Sequence, residues 1–179
     1  MSTGTSGIDL RAYVRDIRDF PRPGIVFKDI TPLLLDPRAI DAAVARLAQF
    51  ATQLEIDLVV AAEARGFILG GALARALGAG FVPARKPGKL PQEVISSEYA
   101  LEYGIDALEV HADALAGGPR VLIHDDLLAT GGTASAVCDL VKRLGGEIIA
   151  CAFLIELTFL KGRERLAPNH VHSLIQYDV

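Results

Sequence analysis

Short apolar runs that alternate with helix-length segments limit what this chain can fold into more than any other feature. The runs fall at residues 57–62 (DLVVAA), 81–84 (FVPA), 120–124 (RVLIH), 147–157 (EIIACAFLIEL) and 172–176 (HSLIQ). They lack the alternation of a strand with one wet face and read as strands buried on both sides. Between them, residues 66–77 carry a helical pattern stopped by Gly78 and Gly80. Residues 133–144 place Thr133, Val137, Leu140, Val141 and Leu144 on one side ahead of Gly145 and Gly146, and glycine just past the last apolar position is a common helix stop. A helix is also expected from Asp36-Pro37, a cap followed by proline, to about Leu54. Another is expected over residues 8–20 behind Asp9, where Leu10, Tyr13, Val14 and Ile17 have helical spacing. Residues 25–35 read as loop-like, 94–111 as a hairpin and 161–166 as a short helix. The alternation predicts an α/β fold, a mainly parallel sheet with helices on both faces. Ligands of such sheets bind beyond the C-terminal strand ends. Chemistry is therefore expected just after Ala62, Ala84, His124 and Leu157.

One domain over residues 1–179 accounts for the length, and no linker or repeat interrupts it. With 6% aromatics and no tryptophan, the core must be aliphatic. A net charge of −4 argues against a broad nucleic-acid surface. No apolar run approaches the roughly 20 residues that cross a bilayer. Residues 1–7 are small and polar without a signal pattern, so a cytoplasmic location is expected. Cys138 and Cys151 form no C-x-x-C pair and read as two buried thiols.

The most informative segment is VLIHDDLLATGGT at 121–133. A buried strand leads into two adjacent carboxylates, Asp125 and Asp126, and then into a small-residue loop that opens a helix. Ala129, Thr130, Gly131, Gly132 and Thr133 offer backbone N–H groups, two hydroxyls and a helix N-terminus, which are the parts of a phosphate site. Carboxylates beside a phosphate make sense if they accept from sugar hydroxyls or reach a magnesium ion through water. A ribose 5-phosphate would satisfy both ends. A Walker A run is absent, and Gly78-x-Gly80 lacks the third glycine of a dinucleotide fingerprint.

This segment resembles the phosphoribosyl pyrophosphate (PRPP) motif of the type I phosphoribosyltransferases. FPRPGIVFKDI at 20–30, EARGF at 63–67, RKPGKLP at 85–91, LEYG at 101–104 and Glu156-Leu157-Thr158 resemble, in that order, the adenine phosphoribosyltransferase family within it. The resemblance covers about residues 8–178. It implies transfer of a phosphoribosyl group from PRPP to adenine, giving AMP and pyrophosphate, in a magnesium-dependent, typically homodimeric enzyme with no nucleic-acid or membrane partner. Magnesium would be held mainly by PRPP and water rather than by protein ligands.

The resemblance also implies roles. Arg65, Arg85, Lys86 and Lys89 would hold pyrophosphate, with Arg65 also catalytic. Asp125, Asp126 and the loop from Ala129 to Thr133 would hold the ribose phosphate. Glu102, on a flexible segment spanning about 85–110, would handle the purine proton. A hood of about residues 20–35 would take the base, with Phe20 stacking, the Val26 backbone reading the polar edge, Lys28 nearby and Leu157 on the other face. His124 stands where an apolar residue is more usual; it could bond a neighbouring strand, tune Asp125, or be a tolerated core residue. Two rivals stay open: an enzyme for another base, and a PRPP-sensing regulator.

Overall fold

The computed structural model describes residues 7–101 and 104–179. Its centre is a five-stranded parallel sheet in the order β4-β3-β7-β8-β9. The strands are β3 (Leu58–Ala62), β4 (Gly80–Ala84), β7 (Arg120–Leu128), β8 (Glu147–Leu157) and β9 (Val171–Tyr177). Both faces are covered, as the continuous apolar runs require. Helices α2 (Pro37–Ala51) and α3 (Gly66–Leu77) pack Leu47, Leu73 and Ala74 against Val59, Leu122 and Ala152 on one face. On the other, α4 (Gly132–Arg143) lays Val137, Leu140 and Val141 over Val60, Ile123 and Phe153. The switch from Val59 to Val60 is the two-residue period of a strand with two dry faces.

Local signals fix the helix ends. The Asp36 carboxylate accepts from the Arg38 N–H at 2.9 Å ahead of Pro37. Gly78 ends α3 at φ +68°, and Gly145 closes the turn after α4 at φ +82°, a region costly for residues with a Cβ. A short helix α5 (Gly162–Arg165) precedes β9. The expected hairpin is present as antiparallel β5 (Val94–Leu101) and β6 (Gly104–His111), whose Leu108 and Val110 are buried in the core beneath α4.

The N-terminal region departs from expectation. Residues 8–20 form no long helix: Asp9 caps a single 3-10 turn (Leu10–Tyr13), and β1 (Arg15–Arg18) follows. The segment read as loop contains β2 (Val26–Asp29) and the short helix α1 (Thr31–Leu35). β1 and β2 pair antiparallel, with Arg15 opposite Asp29 and Asp16 opposite Lys28. Both pairs are ion pairs, at 2.6 and 2.7 Å. Opposite charges facing across strands favour pairing. They supply what the helical spacing of Leu10, Tyr13, Val14 and Ile17 alone does not reveal.

Candidate active site

The sheet order makes its switch between β3 and β7, and β3 pairs with β7 only as far as Ala61 opposite His124. β7 does not end there. It continues to Leu128 because β8 still pairs with it, Leu127 opposite Ile155 and Leu128 opposite Glu156. Asp125 and Asp126 therefore belong to the strand, beside the gap that β3 leaves. A cavity of about 340 Å³ opens there. Its wall includes Arg65 and Lys86, the acid pair, and the whole loop from Ala129 to Thr133.

The phosphate loop is held by close backbone packing. Gly131 has φ +79° and precedes α4, whose first N–H groups lack partners within the helix. A Cβ on Gly131 would lie 2.7 Å from the Gly162 carbonyl oxygen, and one on Gly162 would lie 2.2 Å from the Ala129 carbonyl oxygen. The start of α5 thus braces the loop from behind. Gly66, at the start of α3, serves Asp125 in the same manner: a Cβ there would stand 2.8 Å from Asp125 Oδ1.

Burial raises the proton affinity of both acids. Asp125 is pushed well above the usual carboxylate range by burial and then by the charge of Asp126. Burial also raises Asp126, although Arg65 works against it. Arg65 Nε stands 2.9 Å from Asp126 Oδ2, and its guanidinium carbon lies 4.8 Å from the centre of the Phe27 ring. Arg65 so links the sheet to the hood. Phe27 in turn meets Phe20 edge-on, with ring centres 5.2 Å apart.

The other cations are also paired. Arg85 Nε donates to Glu63 Oε2 at 3.0 Å, and the same oxygen accepts the Lys86 backbone N–H at 2.9 Å. These two bonds, the backbone one first, hold the Glu63 carboxyl below its ordinary range. Lys86 Nζ contacts Asp106 and lies 3.3 Å from the Tyr99 hydroxyl. Arg85 and Lys89 stand behind Lys86 rather than in the cavity wall, with Arg85 Nη1 reaching the Lys89 carbonyl oxygen at 3.5 Å.

The proposed base-site residues lie apart from this cavity. Phe20 is half exposed (51%), and Val26 is exposed on β2. Lys28 is buried (6% exposed), pairs with Asp16 and lies 3.9 Å from the centre of the Tyr177 ring, so it fastens the hood to β9. Leu157 ends β8 in the core that packs against α2. Glu102 lies outside the described residues. His124 is fully buried and bonds the neighbouring strand, Nδ1 to the Ala152 carbonyl oxygen at 2.9 Å. Burial lowers its pKa to about 4, so it is neutral and Nδ1–H donates.

Glu63, Tyr99, Asp106 and Gly162 had no assigned role in the sequence reading. Glu63 lies inside the EARGF run at 63–67, and Gly162 is a glycine in the helical pattern at 161–166, itself a signal of close packing. Nothing local marks Tyr99 or Asp106, which meet Lys86 only through the fold.

Residues 33–175 match the phosphoribosyl transferase domain. The adenine phosphoribosyltransferase of Thermotoga maritima is 55% identical over 170 residues, covering 95% of this chain and 98% of that protein. The crystal structure of the adenine phosphoribosyltransferase from Thermoanaerobacter pseudethanolicus superposes with a TM-score of 0.92 at 52% identity, covering 94% of this chain and 98% of that one. The Saccharomyces cerevisiae enzyme, solved with D-2,5-dideoxy-2,5-imino-altritol 1,6-bisphosphate and adenine, superposes at 0.86 with 39% identity over 92% and 95% of the two chains.

Proposed function

The chain belongs to the adenine phosphoribosyltransferase family, and from that premise we propose how its pocket makes AMP and pyrophosphate from adenine and PRPP in purine salvage. The observation that carries the reading is the cavity at the sheet's switch point. It joins a glycine loop at a helix N-terminus to the Asp125–Asp126 pair and to Arg65 and Lys86.

In the displacement, adenine N9 forms a bond to ribose C1 while the C1–O bond to pyrophosphate breaks. Positive charge grows on the sugar and negative charge on the leaving group, so fixed cations at the leaving end lower the barrier. Arg65 and Lys86 would meet the pyrophosphate, with Arg85 and Lys89 behind them. Backbone N–H groups and hydroxyls from Thr130 to Thr133 would hold the 5-phosphate. Asp125 and Asp126 would accept from the ribose hydroxyls, which adds donors to two crowded carboxylates that otherwise have the Asp126 N–H and Arg65 beside them. Phe20 would stack on the base, the Val26 backbone would read its edge, Leu157 would close the other face and Lys28 would hold the hood in place. Glu102 would take the N9 proton.

Magnesium, bound mainly by PRPP oxygens and water, would add positive charge to the leaving group. Among the described residues no group of three His, Cys, Asp or Glu is placed to cage a metal ion. The donor set that fits is the Asp125–Asp126 pair acting on the ion's water ligands. The reading includes a cytoplasmic homodimer. Two unpaired thiols suit a reducing compartment, and the exposed Ile68 and Phe81 supply apolar surface for a second copy.

The test is product analysis with PRPP, magnesium and one base at a time: adenine, hypoxanthine, guanine, xanthine or orotate. AMP from adenine alone is expected. Product from another base would overturn the hood assignment, and PRPP binding without any product would leave a regulator.

A further inference from the structure

We propose that Asp106 is the counter-ion that Lys86 exchanges for pyrophosphate, and that this exchange sets how readily the product leaves. The inference rests on the reading of the cavity's Lys86 side as the pyrophosphate end.

Lys86, Tyr99 and Asp106 form a closed cluster in the cavity wall. Lys86 Nζ meets Asp106 Oδ2 and the Tyr99 hydroxyl, and that hydroxyl donates to the same Asp106 oxygen at 3.2 Å. Tyr99 and Asp106 face each other across the β5–β6 hairpin. The other oxygen, Oδ1, accepts from the Ala107 N–H at 2.9 Å, which fixes the carboxylate's direction. Pairing with Lys86 holds the Asp106 carboxyl below its ordinary range, so it is charged at neutral pH.

A charged carboxylate in the wall of a site for a polyanion opposes binding unless it has another use. Glu63 has one, because it ties the Lys86 backbone and Arg85 together. Among the described residues Asp106 ties down no backbone beyond its own neighbour, and its remaining bonds go to Lys86 and Tyr99. Its use therefore lies with the ammonium. Lys86 and Asp106 are partly open to water, their side chains 37% and 26% exposed. Asp106 can exchange the ammonium for water at Oδ2, with Oδ1 still held by the Ala107 N–H, without a large desolvation cost.

Pyrophosphate would then replace a carboxylate that already satisfies Lys86, and the carboxylate would recapture the ammonium as the product departs. Asp106 is a positioning residue in this account, since it acts through Lys86.

The experiment is calorimetric titration of magnesium pyrophosphate into wild-type protein and into Asp106→Asn, Asp106→Glu, Lys86→Ala and the Lys86→Ala/Asp106→Asn pair. Asp106→Asn should bind pyrophosphate on the order of fivefold tighter, the equivalent of one partly exposed ion pair no longer regained on release. Asp106→Glu should return toward wild type. In the Lys86→Ala background the Asp106→Asn effect should shrink to near unity, since the two side chains act as one unit. A residue that merely props Lys86 in place predicts weaker binding in Asp106→Asn. Equal or weaker affinity there, or tightening that persists without Lys86, overturns the proposal. Wild-type protein that fails to bind pyrophosphate overturns the reading of the pocket itself.

Discussion

Replacing Gly162 with alanine puts one methyl group where the structure has no room for it, 2.2 Å from the Ala129 carbonyl oxygen and 2.9 Å from the Gly131 nitrogen. Carbon needs roughly 3.2 Å or more from such atoms, so something must move by about 1 Å. The neighbours are backbone rather than flexible side chains, and they belong to the loop proposed to hold the 5-phosphate. Helix propensity alone predicts stabilisation by about 1 kcal/mol, because alanine is the better helix former. Overpacking costs about 1–3 kcal/mol, and with backbone on both sides it should win. We expect a melting temperature lower by a few degrees. A displaced loop should lower kcat/KM for PRPP by about tenfold to a hundredfold, with a much smaller change in KM for adenine. Scanning calorimetry and initial rates at varied PRPP measure both. A variant that melts no lower than wild type and keeps its PRPP kinetics would refute the bracing role of α5.

Asp125→Asn should melt higher than wild type at pH 7 yet bind PRPP more weakly. The folded state raises this carboxyl's pKa, so its charged form becomes a liability as pH rises, and asparagine removes it. Adding Asp126→Asn should weaken PRPP binding further, and unchanged affinity by calorimetry would remove the ribose role. Arg65→Ala and Glu102→Ala should each cut turnover by roughly a hundredfold with the fold intact, and full activity in both would sink the site assignment. His124 is neutral when folded, with a pKa near 4 against 6.5 for the free side chain. Its contribution is complete above pH 6.5 and is lost as pH falls through 4, a cost of roughly 3 kcal/mol. Stability measured by denaturant from pH 7 to 4 should fall less steeply in His124→Val, and parallel curves would argue against this histidine as the source.

The central sheet was legible because its inner strands carry unbroken apolar runs, LVVAA at 58–62, VLI at 121–123 and ACAFLI at 150–155, a pattern that burial on both faces explains. The phosphate loop was legible because its glycines and hydroxyls are contiguous. What escaped depends on partners distant in the chain. Arg15 and Asp16 look like polar positions of a helix until Asp29 and Lys28 are placed opposite them. Asp125 and Asp126 look like the end of a strand, since only β8, running on to Leu157, keeps β7 extended beneath them. Lys28 looks available to a ligand until Asp16 and Tyr177 are seen to occupy it. Asp106 enters the site solely because the β5–β6 register sets it across from Tyr99.

A parallel sheet gives the molecule a working pole and an idle one. β7 has nine residues, from Arg120 to Leu128, so its ends are about 26 Å apart. At the idle pole, the Arg120 N–H donates to Asp57 Oδ2 at 2.7 Å, and the turns through Gly117-Gly118 and Gly145-Gly146 close the chain. A peptide tag or a small inserted domain placed in the exposed turn at Gly117 would hang a full strand's length from the reacting atoms. Lineages, or engineers, have there a free attachment point at which the enzyme can be tethered, labelled or fused while its chemistry goes on undisturbed.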